Sequence, residues 1–301
     1  MKIAITGATG FIGKHLALDL AQRGNQVISI SRGLYTRGSG PAQHENIIPM
    51  TANVTDVEQL TAAFAGCQAV VHCAGTSQEE GGQTFRQVHV EGARRAVEAA
   101  RRAGVRKFVL VSYLHVRPNV NSAYHTTKWE GEQIVRQSTL DYTILKVGLV
   151  YGPGDHLLNN LGGLLRKLPV FATVGLRTRT VRLVAVEDVV DVIRAALMDE
   201  RLSGKTVAVV GPEEIPFATA VRRIAKTMGK PFLWVVPFPV TFHRVLAWVS
   251  GKMPKPMIAA SQVQMLADGI SNPLPDSETL LPDLAPKTIF DEEHIRKGLP
   301  D

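Results

Sequence analysis

The chain has 301 residues, of which 45% are apolar and 20% are charged, with a net charge of +7 and two cysteines. These values are typical of a globular protein with material for one large α/β unit or two lobes, and they exclude a disulfide scaffold. Aromatic residues make up only 6%, whereas nucleic-acid surfaces interleave positive charge with stacking aromatics. We therefore predict no nucleic-acid partner, and an anionic ligand or an anionic membrane surface explains the charge equally well.

Apolar strands alternate with helices through the first half of the chain. Each strand is apolar on both faces, which is typical of a parallel sheet covered by helices on both sides. Right-handed crossovers then predict a doubly wound α/β Rossmann sheet with a ligand crevice at the carboxyl ends of the strands. The predicted strands are residues 2–6, 26–31, 46–50, 69–75, 107–112 and 142–147, and the predicted helices are a first one from residue 15 and residues 56–64, 84–103 and 124–136.

This rhythm changes after residue 148. We predict a core of residues 1–150 with residues 181–210 returning to the sheet, and a smaller substrate-binding lobe of residues 151–180 and 211–301. The crevice between core and lobe is the expected place for a substrate. The predicted elements of this half are a loop at 149–155, strands at 181–184 and 206–210, and helices at 186–198, 217–228, 240–249 and 258–266.

The first strand runs directly into a glycine-punctuated turn, G-A-T-G-F-I-G at residues 7–13, and then into a helix. This order suits a dinucleotide pyrophosphate. Gly7 permits the tight turn, Gly10 lets the backbone approach the phosphates, and Gly13 allows close packing of helix and strand. The phosphates would then lie against free N–H groups at the positive end of the helix.

Two residues four apart on a predicted helix, Tyr124 and Lys128, share one face of that helix. An ordinary phenol has a pKa near ~10, and a nearby ammonium favours the phenolate and lowers that value. In a chain with a dinucleotide fingerprint, this pair indicates proton transfer coupled to hydride transfer.

The end of the second strand predicts which cofactor is bound. A site that prefers NAD carries an acid about twenty residues past the glycine turn, where it accepts from the ribose hydroxyls. Here that position holds Ser31 and Arg32, with no acid. Arg32 offers a planar fork for a 2′-phosphate and Arg37 a second contact, so NADP is predicted, with NAD as the alternative.

Four motifs together resemble the short-chain dehydrogenase/reductase superfamily: the glycine turn at 6–13, the segment 71–75, the pair Tyr124 and Lys128, and the segment 150–154. Within it the chain is similar to the extended and atypical branches, which include sugar-nucleotide epimerases and dehydratases. The nearest resemblance is to the NAD(P)-binding subgroup related to an accessory subunit of respiratory complex I.

The resemblance implies a role for each matching residue. Tyr124 would donate or accept the proton, and Lys128 would bind ribose hydroxyls and tune the phenol. The remaining residues would surround the dinucleotide: Gly7, Gly10, Phe11, Ile12 and Gly13 at the pyrophosphate, Asn53 and Val54 at the adenine, Ala74 and Gly75 beside the ribose and nicotinamide, and Val147 and Val150 flanking the nicotinamide.

The chain also departs from the family pattern. The Ser or Thr that family members place near the end of the fifth strand falls on Tyr113 here, and Ser112, one residue early, is the remaining candidate for that catalytic role. His89 stands where the family has an Asn. A one-residue offset at a strand end normally turns the side chain to the other face of the sheet.

These residues predict an NAD(P)-dependent oxidoreductase of the extended or atypical short-chain type, acting on the carbonyl or alcohol of a small molecule. Epimerase or dehydratase chemistry on a sugar nucleotide is a variant. The alternative is a non-catalytic NAD(P)-binding sensor, assembly factor or structural subunit, with residues 232–257 as a membrane or protein contact. Oligomeric state stays open.

Location and metal chemistry follow from simpler patterns. The opening strand begins at residue 2, so no cleaved leader is expected, and prolines and charges interrupt the longest apolar stretch, residues 232–249. That stretch is too interrupted for a membrane span. Cys67 and Cys73 are interpreted as buried thiols in a reducing compartment, which favours the cytoplasm. No paired metal-ligand spacing occurs, so no metal site is predicted.

Overall fold

The computed structural model describes residues 1–33, 40–79, 81–118, 120–167, 170–175, 179–230, 232–241 and 271–299. The chain forms two compact units. The sheet unit comprises Met1–Val147, Val189–Val209 and Leu274–Leu284, and the second unit comprises Gly148–Asp188, Val210–Pro273 and Ala285–Asp301.

Strands and helices alternate along most of the described chain. The strands are β1 (Lys2–Thr6), β2 (Gln26–Ser31), β3 (Ile47–Thr51), β4 (Ala69–His72), β5 (Lys107–Tyr113), β6 (Asp141–Val147), β7 (Val150–Tyr151), β8 (Val170–Val174), β9 (Thr180–Val181), β10 (Val184–Ala185), β11 (Lys205–Val209), β12 (Ile215–Pro216), β13 (Trp234–Phe238) and β14 (Glu278–Thr279). The α-helices are α1 (Phe11–Gln22), α2 (Val57–Phe64), α3 (Gly92–Arg102), α4 (Ala123–Arg136), α5 (His156–Lys167), α6 (Val186–Met198), α7 (Phe217–Thr227) and α8 (Glu292–Gly298). A π-helical turn, Arg86–Glu91, leads into α3, and a 3-10 turn, Glu200–Leu202, precedes β11.

The sheet unit is built on eight parallel strands in the order β14-β11-β6-β5-β4-β1-β2-β3. The predicted fold class, a doubly wound α/β Rossmann sheet, is confirmed. The chain winds outward from β1 to β3 and then returns to place β4 on the other side of β1. The reversal therefore lies between β1 and β4, where sheets of this kind open their ligand crevice.

Apolar side chains of the neighbouring strands form the core of the sheet unit. Ala4, Ile28, Val70, Phe108 and Ile144 come from five strands and are all buried in one cluster, against which the buried faces of α2 and α3 pack. Because both faces of a parallel sheet are covered, these strands carry nearly continuous apolar runs instead of an alternating pattern.

One predicted strand does not join the sheet. Residues 181–184 were expected to return to it, but β9 pairs with β12 and β10 pairs with β7, all within the second unit. Between β9 and β10, the Arg182 Nε donates to the Gly211 carbonyl at 2.8 Å. The apolar run thus forms two short strands with different partners instead of one. The predicted loop at 149–155 likewise contains β7.

A second correction concerns the last part of the chain. The sequence places all of residues 211–301 in the smaller lobe, and this expectation is wrong for Leu274–Leu284, which belongs to the sheet unit and contributes its edge strand, β14. Ion pairs hold this segment, since the Lys146 Nζ lies 2.6 Å from Asp276 and the Lys205 Nζ lies 3.0 Å from Glu278. Such pairs join residues more than seventy positions apart, and hydrophobic periodicity cannot reveal them.

The second unit has a core of its own, to which Leu158, Phe171, Leu183, Phe217 and Ile224 contribute buried side chains. The helix predicted at 217–228 is present as α7. The helix predicted at 258–266 and most of the one predicted at 240–249 lie outside the described residues. Within the residues that are described, no helix has both the length and the apolar character needed to cross a membrane.

Candidate functional site

The glycine turn after β1 is a place where the backbone leaves no room for side chains. Gly7 has a φ of +70°, and a Cβ there would lie 2.8 Å from the Ala74 Cα. A Cβ at Gly13 would lie 2.3 Å from the Gly7 carbonyl oxygen, to which the Gly10 amide donates at 3.0 Å. Gly7 and Gly13 are therefore required by the close approach of β1, α1 and the loop after β4.

A cleft of about 200 Å³ opens beside this turn, at the carboxyl ends of β1, β2 and β4. It lies at the strand-order reversal described above. Six predicted cofactor-binding residues line it: Gly7, Gly10, Arg32, Val54, Ala74 and Gly75. Eight further residues line the cleft and were not predicted as cofactor-binding: Thr9, Ile30, Ser31, Ala52, Cys73, Thr76, Gln83 and Val88. Four of them lie at strand ends, which is the signal that could have found them: Ile30 and Ser31 end β2, Ala52 follows β3 and Cys73 follows β4.

Several predicted residues lie elsewhere. Phe11 and Ile12 are the first two residues of helix α1 and follow its N-cap residue, Gly10. The side chain of Asn53 accepts from the amide and hydroxyl of Thr55, so it stabilises its own turn instead of lining the cleft. Val147 is the buried last residue of β6, Val150 belongs to the second unit, and Arg37 lies outside the described residues.

The cation at the end of β2 borders the cleft. Arg32 is exposed, and its guanidinium donates to the Gln83 side-chain oxygen, so two cleft-lining residues meet. Among the described residues that line the cleft, none is acidic. A planar cation without a competing carboxylate is the arrangement that binds a phosphate group.

The proton-transfer pair lies on helix α4. The Lys128 Nζ is 5.9 Å from the centroid of the Tyr124 ring and 3.6 Å from the point where a Cβ at Gly75 would lie. Lys128 therefore borders the same loop that lines the cleft. Burial lowers the pKa of the Lys128 ammonium to about 8, although Glu132 and Cys73 oppose that change.

The expected lowering of the Tyr124 pKa is wrong for this structure. Tyr124 is buried, and its burial raises the pKa of the phenol above the ordinary value. The ammonium of Lys128 is near the ring face, which is a cation–π geometry. Desolvation disfavours the phenolate and outweighs the influence of a cation at that distance.

Four aromatic rings surround Tyr124. The ring centroids of Phe85, His89, Tyr113 and His125 lie 5.7, 5.5, 6.0 and 5.4 Å from that of Tyr124, all in edge-on geometry. Such pairs fix the orientation of a ring and exclude water from it. The sequence reading missed this cluster because its members come from three separate elements.

His89 joins the loop after β4 to helix α4. Its Nδ1 lies 3.0 Å from the Thr127 hydroxyl, and its Nε2 lies 3.0 Å from the Thr76 carbonyl oxygen. Burial, followed by the charge of Lys128, lowers the pKa of His89 to about 3, so the imidazole is neutral. The π-helical turn sets this position, and a Cβ at Gly131 of α4 would lie 2.5 Å from the His89 carbonyl oxygen.

Ser112 is directed into a buried charged network. Its hydroxyl donates to Glu132 at 2.5 Å, and the fully buried Glu132 also accepts from Arg136 at 2.9 Å and lies 3.8 Å from the Lys146 Nζ. Lys146 is itself fully buried and binds Asp276. Ser112 also borders a cavity of about 10 Å³ that His72, His89 and Lys128 help to line. The Ser112 hydroxyl is thus already engaged by a carboxylate.

Comparison with known proteins gives the family. A family model described as NAD(P)H-binding matches residues 7–157. The chain is 32% identical over 240 residues to the ceramide reductase of Caulobacter vibrioides, covering 79% of this chain and 74% of that one. It is 25% identical over 269 residues to the mitochondrial NADH-ubiquinone oxidoreductase 40 kDa subunit of Neurospora crassa, covering 86% and 69%.

The fold is similar to that of UDP-glucuronic acid 4-epimerase from Bacillus cereus in complex with UDP-glucuronic acid and NAD. The TM-score is 0.70 at 19% identity, over 99% of this chain and 98% of the other. The glycine turn, the cleft at the strand-order reversal and the family match agree with one another. The chain belongs to the NAD(P)H-binding family.

Proposed function

We propose that the protein is an NADP-dependent oxidoreductase of the extended or atypical short-chain type, which reduces a carbonyl group of a small molecule. The observation that carries this proposal is the glycine-lined cleft whose loop, at Gly75, lies against Lys128. The residues fit a dinucleotide because Gly7, Gly10 and Gly75, which have no side chain, line the cleft. A bound nicotinamide would supply the hydride.

Each residue has an assigned role in binding. The amides of the glycine turn would hold the diphosphate, and the Arg32 fork would hold a 2′-phosphate, which is why we favour NADP over NAD. Lys128 would donate to the ribose hydroxyls. Its pKa of about 8 leaves it largely cationic at neutral pH.

Tyr124 is the proton donor that we assign. Carbonyl reduction adds a hydride to carbon and a proton to oxygen, and the phenol would deliver that proton. Because burial raises the pKa of Tyr124, the phenol stays protonated at neutral pH. A protonated phenol suits reduction better than oxidation of an alcohol.

An apolar carbonyl compound is the substrate class that we favour. The rings of Phe85 and Tyr113 and the neutral imidazole of His89 give Tyr124 aromatic, uncharged neighbours. A relative at 32% identity is named a ceramide reductase, and ceramide is a lipid. Epimerase or dehydratase chemistry on a sugar nucleotide is supported by fold similarity alone.

A second candidate function is non-catalytic NADP binding in a larger assembly. The specific observation in its favour is the Ser112 hydroxyl, which donates to Glu132 and so is not free for a substrate carbonyl. The similarity to a 40 kDa subunit of a respiratory complex supports the same reading. In this alternative the cleft binds cofactor and no turnover follows.

Substitution of Tyr124 by Phe distinguishes the two functions. We would measure NADPH oxidation with a long-chain ketone and with a nucleoside-diphosphate sugar as probes, together with NADPH affinity. The oxidoreductase proposal expects turnover with the ketone, a loss of about two orders of magnitude or more in Tyr124→Phe, and unchanged affinity. Tyr142→Phe, on strand β6, is the matched control and should keep full turnover. NADPH binding without turnover on either probe would favour the non-catalytic function.

A further inference from the structure

The second unit exposes a row of large apolar side chains along one small sheet. Phe232 is 87% exposed and Trp234 is 73% exposed. Trp234 pairs with Val170 in the β13–β8 ladder, and Val170 is 45% exposed. The intervening Leu233 and the following Val235 pack on the core of the second unit instead. Side chains alternate along an extended chain, so Phe232 and Trp234 point away from the core. We call Phe232, Trp234 and Val170 the aromatic patch.

Basic side chains flank the aromatic patch. The Lys230 Nζ donates to the carbonyls of Leu165 and Arg166 at 2.6 and 2.7 Å, so the end of helix α5 lies beside the chain that leads into β13. Arg166 is exposed there, and so is Lys226 on helix α7, one turn before Lys230. The patch is therefore bordered by cations from two helices.

The charge distribution along the chain is strongly uneven. Residues 156–186 and 215–267, which include the patch and both flanking helices, contain twelve Lys and Arg and no Asp or Glu. The rest of the chain contains 22 Lys and Arg against 27 Asp and Glu. The net positive charge of the protein thus arises from these two segments.

We propose that the aromatic patch and its flanking cations dock on the surface of an anionic lipid bilayer. Trp and Phe favour the interface between headgroups and acyl chains, and Lys and Arg are attracted to anionic headgroups. A second copy of the chain would bring two cationic segments together, and their repulsion opposes that occupant. This inference is independent of the proposed reductase function.

Vesicle flotation tests the proposal with the full chain. The unmodified protein should float with vesicles of equal parts phosphatidylcholine and phosphatidylglycerol, and it should not float with phosphatidylcholine alone. Raised salt should weaken the binding, since screening shortens electrostatic attraction. Failure to float with the anionic vesicles would overturn the proposal.

Two test variants, each with a control that makes a similar change in the sheet unit, show whether the position of these side chains decides the binding. Phe232→Ser with Trp234→Ser should lower the partition coefficient by about tenfold or more, while Ile48→Ser with Met198→Ser, which removes exposed apolar side chains of the sheet unit, should change it less than about twofold. Arg166→Glu with Lys226→Glu should also lower the partition coefficient by about tenfold or more, because each cation near an anionic bilayer raises that coefficient roughly fivefold. Arg101→Glu with Arg106→Glu makes the same change in net charge at exposed positions of the sheet unit and should have little effect.

Thermal unfolding of each variant checks that the fold is retained. Equal losses in the test and control variants would contradict the proposal, because they would show that total charge or total apolar surface decides the binding. Sedimentation without vesicles tests whether a second copy of the chain covers the aromatic patch. A dimer that the Phe232→Ser and Trp234→Ser substitutions dissociate would assign the patch to a second copy and overturn the lipid assignment.

Discussion

The glycine turn and the Tyr124 cluster lie in the same unit but are specified in different ways. The turn depends on which of seven consecutive residues lack a Cβ, and its partner, Ala74, lies in the loop after β4. The Tyr124 cluster on α4 depends on the side chains of Phe85 and His89 from the π-helical turn and its N-cap, and of Tyr113 from β5. A backbone-defined site can be recognised by spacing alone, whereas a side-chain-defined site requires the fold.

Gly13→Val tests the backbone-defined site and should have the largest effect. Its Cβ would lie 2.3 Å from the Gly7 oxygen, which neither α1 nor the turn can accommodate without moving. We expect the free energy of unfolding to fall by at least about 3 kcal/mol and cofactor binding to be lost. Denaturant unfolding and an NADPH titration measure both. Gly40→Ala, which adds a Cβ where no atom of the described residues lies within 4 Å, is the control. A Gly13→Val protein with wild-type stability would contradict the close approach described here.

Glu132→Ala tests the buried network beneath the side-chain-defined site. It removes the buried carboxylate beside Lys146, one of the acceptors of Arg136 and the acceptor of the Ser112 hydroxyl. Breaking a buried ionic network from one side should cost about 3 kcal/mol in unfolding free energy. Glu130, two residues away on the same helix, pairs with Arg86 at the surface. Glu130→Ala should therefore cost at most about 1 kcal/mol. Similar losses for both variants would show that Glu132 has no special role.

Lys128→Met should stabilise the fold while abolishing turnover. The folded-state pKa of Lys128 is about 8, against an ordinary value of 10.5, because burial disfavours the cation. Between pH 8 and pH 10.5 the unfolded chain binds more protons than the folded protein does. Lys128 therefore lowers the free energy of unfolding most below pH 8, and this destabilisation declines as the pH rises towards 10.5. We expect Lys128→Met to gain about 1 to 3 kcal/mol at pH 7 and less at pH 10.

Denaturant unfolding of Lys128→Met and the unmodified protein at both pH values gives this difference directly. A loss of stability at pH 7 would contradict the burial of the cation. A gain that did not shrink at pH 10 would attribute the effect to packing, since only a titrating group produces the pH dependence.

Ser112→Ala should have the smallest effect on the free energy of unfolding. It also distinguishes most directly between a structural and a catalytic role for the side chain. Loss of the hydrogen bond to Glu132 should cost about 1 to 2 kcal/mol of unfolding free energy. If Ser112 only supports Glu132, turnover should fall by less than about tenfold. A fall of about two orders of magnitude would show that the hydroxyl stabilises the reacting carbonyl instead. Turnover and unfolding measured on one preparation distinguish the two roles.

Much of the sheet could be predicted from the sequence. Seven of its eight strands follow predicted apolar runs. Helix α2 begins after Asp56, whose side chain accepts from the amides of Glu58 and Gln59. The edge strand β14 could not be predicted, because Glu278–Thr279 carries no apolar pattern and depends on strand β11 for its place. The run at 181–184 was misassigned because an apolar run does not specify its partner.

The candidate site divides in the same way. Gly7, Gly10, Arg32 and Gly75 could be located by counting from strand ends, and all of them line the cleft. The orientation of Ser112 could not be predicted, since it depends on Glu132, twenty residues later. The direction of the Tyr124 pKa shift also required the structure, because burial is a property of the packed cluster.

Binding titrations test the central claim, that the cleft beside the glycine turn holds NADP. The chain and its Arg32→Ala variant would be titrated with NADPH and with NADH, and Arg101→Ala would control for loss of one exposed cation. We expect the unmodified protein to bind NADPH at least about tenfold more tightly than NADH, and Arg32→Ala to lose about tenfold for NADPH while keeping its affinity for NADH. Absence of binding to either nucleotide would contradict the claim that the cleft holds a dinucleotide. An NADPH affinity that stayed the same in Arg32→Ala would contradict the role of Arg32 in selecting NADP.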